Sequence, residues 1–248
     1  MSSASGTSSV TTDSVSAPIH GAASLPAPFK NAKVPTGKPK ASDYEPRVAK
    51  LINHACHQFE VLLATDQPFP EPGVSVQWAT RVWTDVCQAV QINYTFSDRI
   101  EKVITARASH ARGVLRDKLR PLVAQTYGFV SDGTERAKAK NIALYTSLLD
   151  RDAQLDAEPC FHYKNVETKQ GFAQNKLITT AIKAQWFADV GAPGVKYSSQ
   201  FSPLCEVTIV FIFTTIEFCL DQWASGHYDK NLTYSDKVYR ANACMTAQ

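Results

Sequence analysis

The stretch PLCEVTIVFIFTTIEFCLDQWASG, residues 203–226, is the most apolar segment of this 248-residue chain. Apolar side chains cover nearly the whole circumference of a helix drawn through it, which is typical of a helix buried on most sides. Its charge-free run covers only residues 207–216, whereas a membrane-spanning helix needs about 20 apolar residues. The stretch therefore predicts a buried central helix near 203–225, and we expect no membrane among the partners.

Amphipathic patterns surround this central helix in the sequence. Apolar side chains recur at helical spacing in five further segments, near residues 46–65, 75–92, 99–123, 134–150 and 176–189. Residues 151–175 are the least regular part, and hairpin-like structure is allowed near residues 160–172. The predicted fold class is all-α, with a single globular domain of six to eight helices around the central one.

The N-terminal part of the chain differs from the rest in composition. Residues 1–44 are rich in Ser, Thr, Ala and Pro, and their large apolar side chains are isolated. Such a segment cannot bury enough apolar surface to fold. We predict a disordered tail over residues 1–44 and a helical domain over residues 45–248. We interpret the lysines of residues 30–40 as solubilising, in preference to anion binding or nuclear import.

Cysteine usage and the N-terminus indicate where the protein resides. The six cysteines lack the paired spacing of a zinc ribbon or a disulfide framework, which is typical of buried thiols in a reducing compartment. The first ten residues lack the basic and apolar regions of a secretion signal. Both observations predict an intracellular protein, cytoplasmic or nuclear.

Positive charge is concentrated in residues 99–120, where seven Lys or Arg face two acids in a chain of net charge +3. On a helix with about 100° per residue, Arg112, Arg116 and Arg120 form a stripe beside Lys102, outside the apolar arc. This stripe is a candidate nucleic-acid or anion-binding surface, because Lys and Arg neutralise phosphates. The simpler interpretation, which we favour, is that these charges face solvent or form salt bridges within the protein.

One basic side chain of this segment has a different position. Arg107 lies inside the apolar arc, in mid-helix, where a guanidinium without a partner would be costly. Glu217 lies among apolar neighbours in the central helix. The two positions predict a structural buried ion pair between Arg107 and Glu217.

The irregular segment FHYKNVETKQGF, residues 161–172, combines aromatic side chains, lysines and amides. His162, Tyr163 and Lys164 form a candidate loop site, because irregular segments on a rigid scaffold often carry function and aromatics among lysines can stack bases. A loop held to the core by its aromatic side chains is the simpler interpretation.

His54 and His57 are one helical turn apart in the sequence. We interpret them as surface histidines in preference to a metal site.

Other motifs do not define a chemistry. The sequence has no nucleophile elbow, no Walker loop and no dinucleotide fingerprint. We therefore predict no catalytic residues, no metal site and no cofactor.

Three segments, occurring in the same order, resemble an uncharacterised family of fungal, chiefly basidiomycete, proteins that is catalogued as a domain of unknown function. They are DRIEKVITARASHARGVLRDKLRPLVAQTYGF, FHYKNVETKQGFAQNKLITTAIKAQWF and TIEFCLDQWASGHY. The resemblance covers about residues 45–240. It implies a mostly helical domain behind a low-complexity N-terminal region, and it carries over no catalytic residues.

Two hypotheses about function follow from the sequence. The leading one is a non-enzymatic intracellular binding module that engages protein or nucleic acid through the basic helix of residues 99–120. The alternative is an enzyme of unknown class with its site around His162 and the 160–172 loop. Steeply salt-dependent binding would favour a nucleic-acid partner, whereas stoichiometric zinc would favour the enzyme.

Overall fold

A computed structural model describes residues 24–149 and 159–234 of the chain. The described residues form seven α-helices of at least eight residues and one helical turn, with isolated β-bridges but no β-strand. The all-α prediction is therefore confirmed. The helices are α1 Pro46–Thr65, α2 Pro72–Ala89, α3 Asp98–Thr105, α4 Arg107–Tyr127, α5 Glu135–Leu149, α6 Lys176–Trp186, α7 Pro193–Lys196 and α8 Glu206–Asp221.

Helix α8 is the predicted central helix, and it is buried on nearly all sides. It packs against α1, α4, α5 and α6. Its threonine hydroxyls are satisfied inside the core, since Thr208 donates to the Ala64 carbonyl at 2.8 Å and Thr214 donates to the Val210 carbonyl at 2.8 Å. A helix with these internal hydrogen bonds can be enclosed without leaving its hydroxyls unsatisfied.

The core has two parts, and only one of them surrounds α8. Leu115 and Leu119 of α4 pack with Phe211 and Phe218 of α8 in the first part. The second part joins α1, α2 and α3 through side chains that include Phe59, Trp83 and Ile100. Helix α1 contributes to both parts because its 20 residues are long enough to pass from one to the other.

The segment of residues 24–44, within the predicted tail of residues 1–44, contacts the helical domain. The Leu25 amide donates to the Asn93 carbonyl at 2.8 Å, and the Phe29 ring stacks on Tyr44 with ring centroids 4.7 Å apart. Residues 1–23 of that predicted tail and residues 235–248 of the predicted domain lie outside the described residues.

The basic segment forms two helices that meet at Ala106. Ser97 caps α3, as its side chain accepts a hydrogen bond from the Ile100 amide. Helix α4 contains Pro121 and continues to Tyr127. It ends at Gly128, which adopts the left-handed conformation with φ of 80° that glycine tolerates best.

The buried side of α4 is rotated by about 60° from the side that the sequence predicts. Arg112, predicted to lie on the outer stripe, is only 6% exposed. Its Nη1 donates to the Pro68 carbonyl at 3.2 Å, and its guanidinium lies 5.4 Å from the Phe69 ring centroid. The α1–α2 loop supplies both groups, so a cation can lie on the core side of the helix.

The same rotation moves Arg107 to the edge of the core, where its side chain is 29% exposed. Its Nε donates to Oε1 of Glu60 on α1 at 2.6 Å, and its Nη2 contacts the same oxygen. The predicted pair of Arg107 with Glu217 is therefore wrong in its acidic partner. The physical reason is that α1 lies beside the start of α4 and offers a carboxylate there.

The Arg112→Gln variant tests the buried cation. We expect it to lower the free energy of unfolding by about 2 kcal/mol or more, because a hydrogen bond from a charged group and a cation–π contact are lost in the core. Arg116→Gln is the matched control, and its half-exposed side chain should cost no more than about 1 kcal/mol. Urea denaturation measures both values, and equal losses would contradict the buried role of Arg112.

A double-mutant cycle tests the partner of Arg107. The variants Arg107→Met and Glu60→Gln should show a coupling of about 0.5–1 kcal/mol, because the pair is partly exposed and screened by water. The cycle of Arg107→Met with Glu217→Gln should show none. Coupling to Glu217 but not to Glu60 in urea denaturation would restore the sequence prediction.

Candidate anion-binding groove

A groove with a volume of about 410 Å³ lies between α4 and the segment of residues 230–234. Its wall combines the cations of three arginines and one lysine with hydroxyl and amide groups. The lining residues are Ser109, Arg112, Gly113, Arg116 and Arg120 of α4, and Lys230, Asn231, Leu232, Thr233 and Tyr234. We call this feature the basic groove.

Two guanidinium groups of the basic groove converge on one oxygen atom. Arg116 places Nε and Nη2 each 2.9 Å from Oδ1 of Asp117. Arg120 donates from Nη1 to the same oxygen at 3.0 Å. The Asp117 side chain is 58% exposed, whereas those of Arg116 and Arg120 are 27% and 24% exposed. The two arginines therefore form a fixed cradle for an anionic oxygen near the protein surface.

Gln222 connects Arg120 of this cradle to the segment that forms the opposite wall of the groove. It is fully buried just after α8, and its Oε1 accepts from Nε of Arg120 at 3.0 Å. Its Nε2 donates to the Asp229 carbonyl at 2.9 Å, and the Asp229 amide donates back to the Gln222 carbonyl at 2.7 Å. One buried amide side chain thus connects α4, α8 and the segment that follows them.

Gly113 keeps the groove open along α4. A Cβ atom at this position would meet only Nη2 of Arg116, at 3.8 Å, which is an ordinary contact. The position therefore tolerates a side chain locally, and the absence of one adds to the space between α4 and residues 230–234.

The groove unites part of the predicted basic stripe. Arg112, Arg116 and Arg120 line it together, whereas Lys102 lies on α3 and is exposed outside the lining. The three arginines do not all point to solvent, since Arg112 is buried and Asp117 caps the other two. Sequence reasoning missed Lys230, because more than a hundred residues separate it from α4 and no local pattern marks it.

The three residues of the candidate loop site, His162, Tyr163 and Lys164, do not share one surface in the structure. His162 is 6% exposed and stacks on Phe213, with ring centroids 5.0 Å apart. The half-buried Tyr163 packs against the same imidazole. Lys164 is exposed and lines a shallow concavity of about 740 Å³ that neither His162 nor Tyr163 reaches. The allowed hairpin is present as a single bridge between Asn165 and Gln170.

The described cysteines and histidines give little support for nucleophilic catalysis or for metal binding. Burial raises the pKa of the Cys56 and Cys219 thiols to about 12, so both stay protonated at neutral pH. His54 and His57 are exposed on α1, as predicted for surface histidines. Within residues 24–149 and 159–234, no three His, Cys, Asp or Glu side chains are grouped to hold a metal ion.

A family model for a domain of unknown function, DUF6532, matches residues 54–242. The chain belongs to the DUF6532 family. The predicted resemblance to a domain of unknown function is thereby confirmed, and every residue of the basic groove lies within the DUF6532 match. No curated protein and no solved structure matches the chain. Among the described helices of this DUF6532 domain, none combines the length and apolar character needed to cross a membrane.

Gly113 in the groove lining and Gly128, which caps the end of α4 outside that lining, give a matched test of the space at position 113. Gly113→Ala should raise the free energy of unfolding by about 0.5–1 kcal/mol, because alanine favours a helix interior and the site has room. Gly128→Ala should lower it by about 1 kcal/mol, because alanine is strained at positive φ. Thermal denaturation measures both, and a destabilised Gly113→Ala variant would show that the groove has no room for a Cβ atom.

Proposed function

We propose that this DUF6532 domain is a non-enzymatic binding module that engages an anionic segment of a protein or nucleic acid through the basic groove. The observation that carries the proposal is that Arg116 and Arg120, which both line the groove, converge on one oxygen of the neighbouring Asp117. Such a cradle recognises carboxylates and phosphates through paired N–H donors. Lys230 adds an exposed ammonium group on the opposite wall.

The charge distribution supports an anion-binding site that is limited to one region of the protein. Residues 99–120 carry +5, whereas the chain as a whole carries +3. The remaining sequence is therefore negative overall, and an anionic partner is attracted to one region instead of the whole surface.

The alternative of an enzyme around His162 and the 160–172 loop has weaker support. The aromatic packing around His162 limits its access to a substrate, and neither His162 nor Tyr163 lines the concavity beside Lys164. General acid–base catalysis requires an imidazole within hydrogen-bond distance of the reacting group. We therefore place the function at the basic groove.

We also propose that the protein is a fungal, basidiomycete protein and acts inside the cell, in the cytoplasm or the nucleus. The three quoted segments support the fungal assignment. The described cysteines, which are Cys56, Cys87, Cys160, Cys205 and Cys219, are all free thiols, and this fits a reducing compartment.

Binding of two anionic probes tests the proposal. We expect the full-length protein to bind single-stranded DNA of mixed sequence or polyglutamate, measured by fluorescence anisotropy. The double variant Arg116→Gln, Arg120→Gln should lower the affinity at least tenfold, because both cradle cations are removed. For single-stranded DNA the slope of log K against log salt should fall by about 1.4, since each phosphate contact contributes about 0.7.

The matched control is the double variant Lys102→Gln, Lys183→Gln, which removes the same charge from exposed positions outside the groove lining. It should retain most of the affinity. Equal losses in the two double variants, or no binding of either probe by the parent protein, would refute the proposed function.

A further inference from the structure

We infer that the basic groove is a site for a phosphorylated serine or threonine on an extended peptide, and that Asp117, beside the groove lining, competes with the phosphate for Arg116 and Arg120 in the free protein. The inference deepens the proposed function and rests on it. It follows from the donor geometry, the charge balance and the extended backbone of the groove wall.

The donor geometry suits a phosphate better than the carboxylate that the cradle now holds. Nε of Arg116 and Nη1 of Arg120 donate to a single Asp117 oxygen, at 2.9 and 3.0 Å, and Nη2 of Arg116 lies 2.9 Å from the same oxygen. A carboxylate at this position meets three nitrogens with one oxygen. A phosphate monoester offers three acceptor oxygens and a greater negative charge, so the same donors can be shared among several oxygens.

The charge balance also favours a dianion. Arg112, Arg116, Arg120 and Lys230 bring four positive charges to the groove, and Asp117 neutralises part of the charge of Arg116 and Arg120. No described residue of the lining is acidic. A phosphorylated side chain carries about −1.5 to −2 at pH 7, so it balances more of this positive charge than a carboxylate does.

The size of the groove favours one phosphate group over a nucleic acid. A volume of about 410 Å³ is that of a small-ligand pocket, which accommodates a modified side chain and its neighbours. Proteins that bind duplex DNA tightly make roughly 6–10 phosphate contacts along it. Lys102, the other basic residue of the predicted stripe, lies outside the groove lining, so the contacts do not continue along the helix.

The wall opposite α4 favours a peptide as the carrier of the phosphate. Residues 232–234 are non-helical, and no described residue forms a backbone hydrogen bond with Leu232 or Thr233. An extended peptide could pair with these groups as an added strand. Gln222 fixes the start of this segment through Asp229, so the backbone of the segment is held near the two arginines.

Asp117 is then a built-in competitor for the cradle. It is 58% exposed, so replacing it should disturb the fold little, while its charge opposes any anion that approaches Arg116 and Arg120. Asp117→Asn keeps the size of the side chain and removes the charge. This change should therefore strengthen binding of a phosphate, whereas loss of a merely structural contact would leave binding unchanged or weaken it.

The experiment uses the full chain and a peptide mixture with one fixed phosphoserine and degenerate flanking residues. The controls are the same mixture with serine and with glutamate at the fixed position, inorganic phosphate, and mixed single-stranded DNA. Titrations are followed through the Nε–H resonances of Arg116 and Arg120 in NMR spectra. We expect the phosphoserine mixture to shift both resonances, the serine mixture to shift neither, and inorganic phosphate to compete.

Two variants complete the experiment. Asp117→Asn should tighten phosphopeptide binding by roughly two- to fivefold, and Arg116→Gln should abolish the response. Equal binding of the phosphoserine and glutamate mixtures, or unchanged or weaker binding by Asp117→Asn, would overturn the inference. If single-stranded DNA binds at the groove and the phosphopeptides do not, the inference fails and the proposed function stands. If no anion binds, both fail.

Discussion

The enclosure of α8 is the constraint on which the rest of the structure depends. A helix that is apolar on nearly every side is stable in water only when other elements cover all of it. Helices α1, α4, α5 and α6 provide that cover. Its threonines bond to backbone carbonyls inside the core, so the cover does not leave their hydroxyls unsatisfied.

Covering α8 also determines how α4 is oriented. Leu115, Leu119 and Val123 face α8, and this rotation brings Arg112 into the interior beside Phe69 and the Pro68 carbonyl. A buried guanidinium is tolerated because the α1–α2 loop supplies a carbonyl and an aromatic face. The basic groove thus has a structural floor in Arg112 and a more accessible rim in Arg116 and Arg120.

The groove depends on the residues that follow the end of α8, because they direct the chain back towards α4. Gln222, just after the last turn of α8, bonds both to Arg120 and to the backbone of Asp229. Gly226 turns the chain with φ of 80° and packs against α5, where a Cβ atom would lie 2.7 Å from the Lys138 carbonyl oxygen. The chain is therefore directed back along α4, and residues 230–234 become the second wall.

The sequence by itself determined the all-α class and the central helix, because these depend on the spacing of apolar residues along the chain. It also marked Arg112, Arg116 and Arg120 as related positions on one helix. Only the tertiary structure decided that Arg112 is buried, that Arg107 pairs with Glu60, and that Lys230 faces α4. Each of these outcomes depends on a group from a distant segment, and the break at Ala106 shifts the helix phase that sequence spacing assumes.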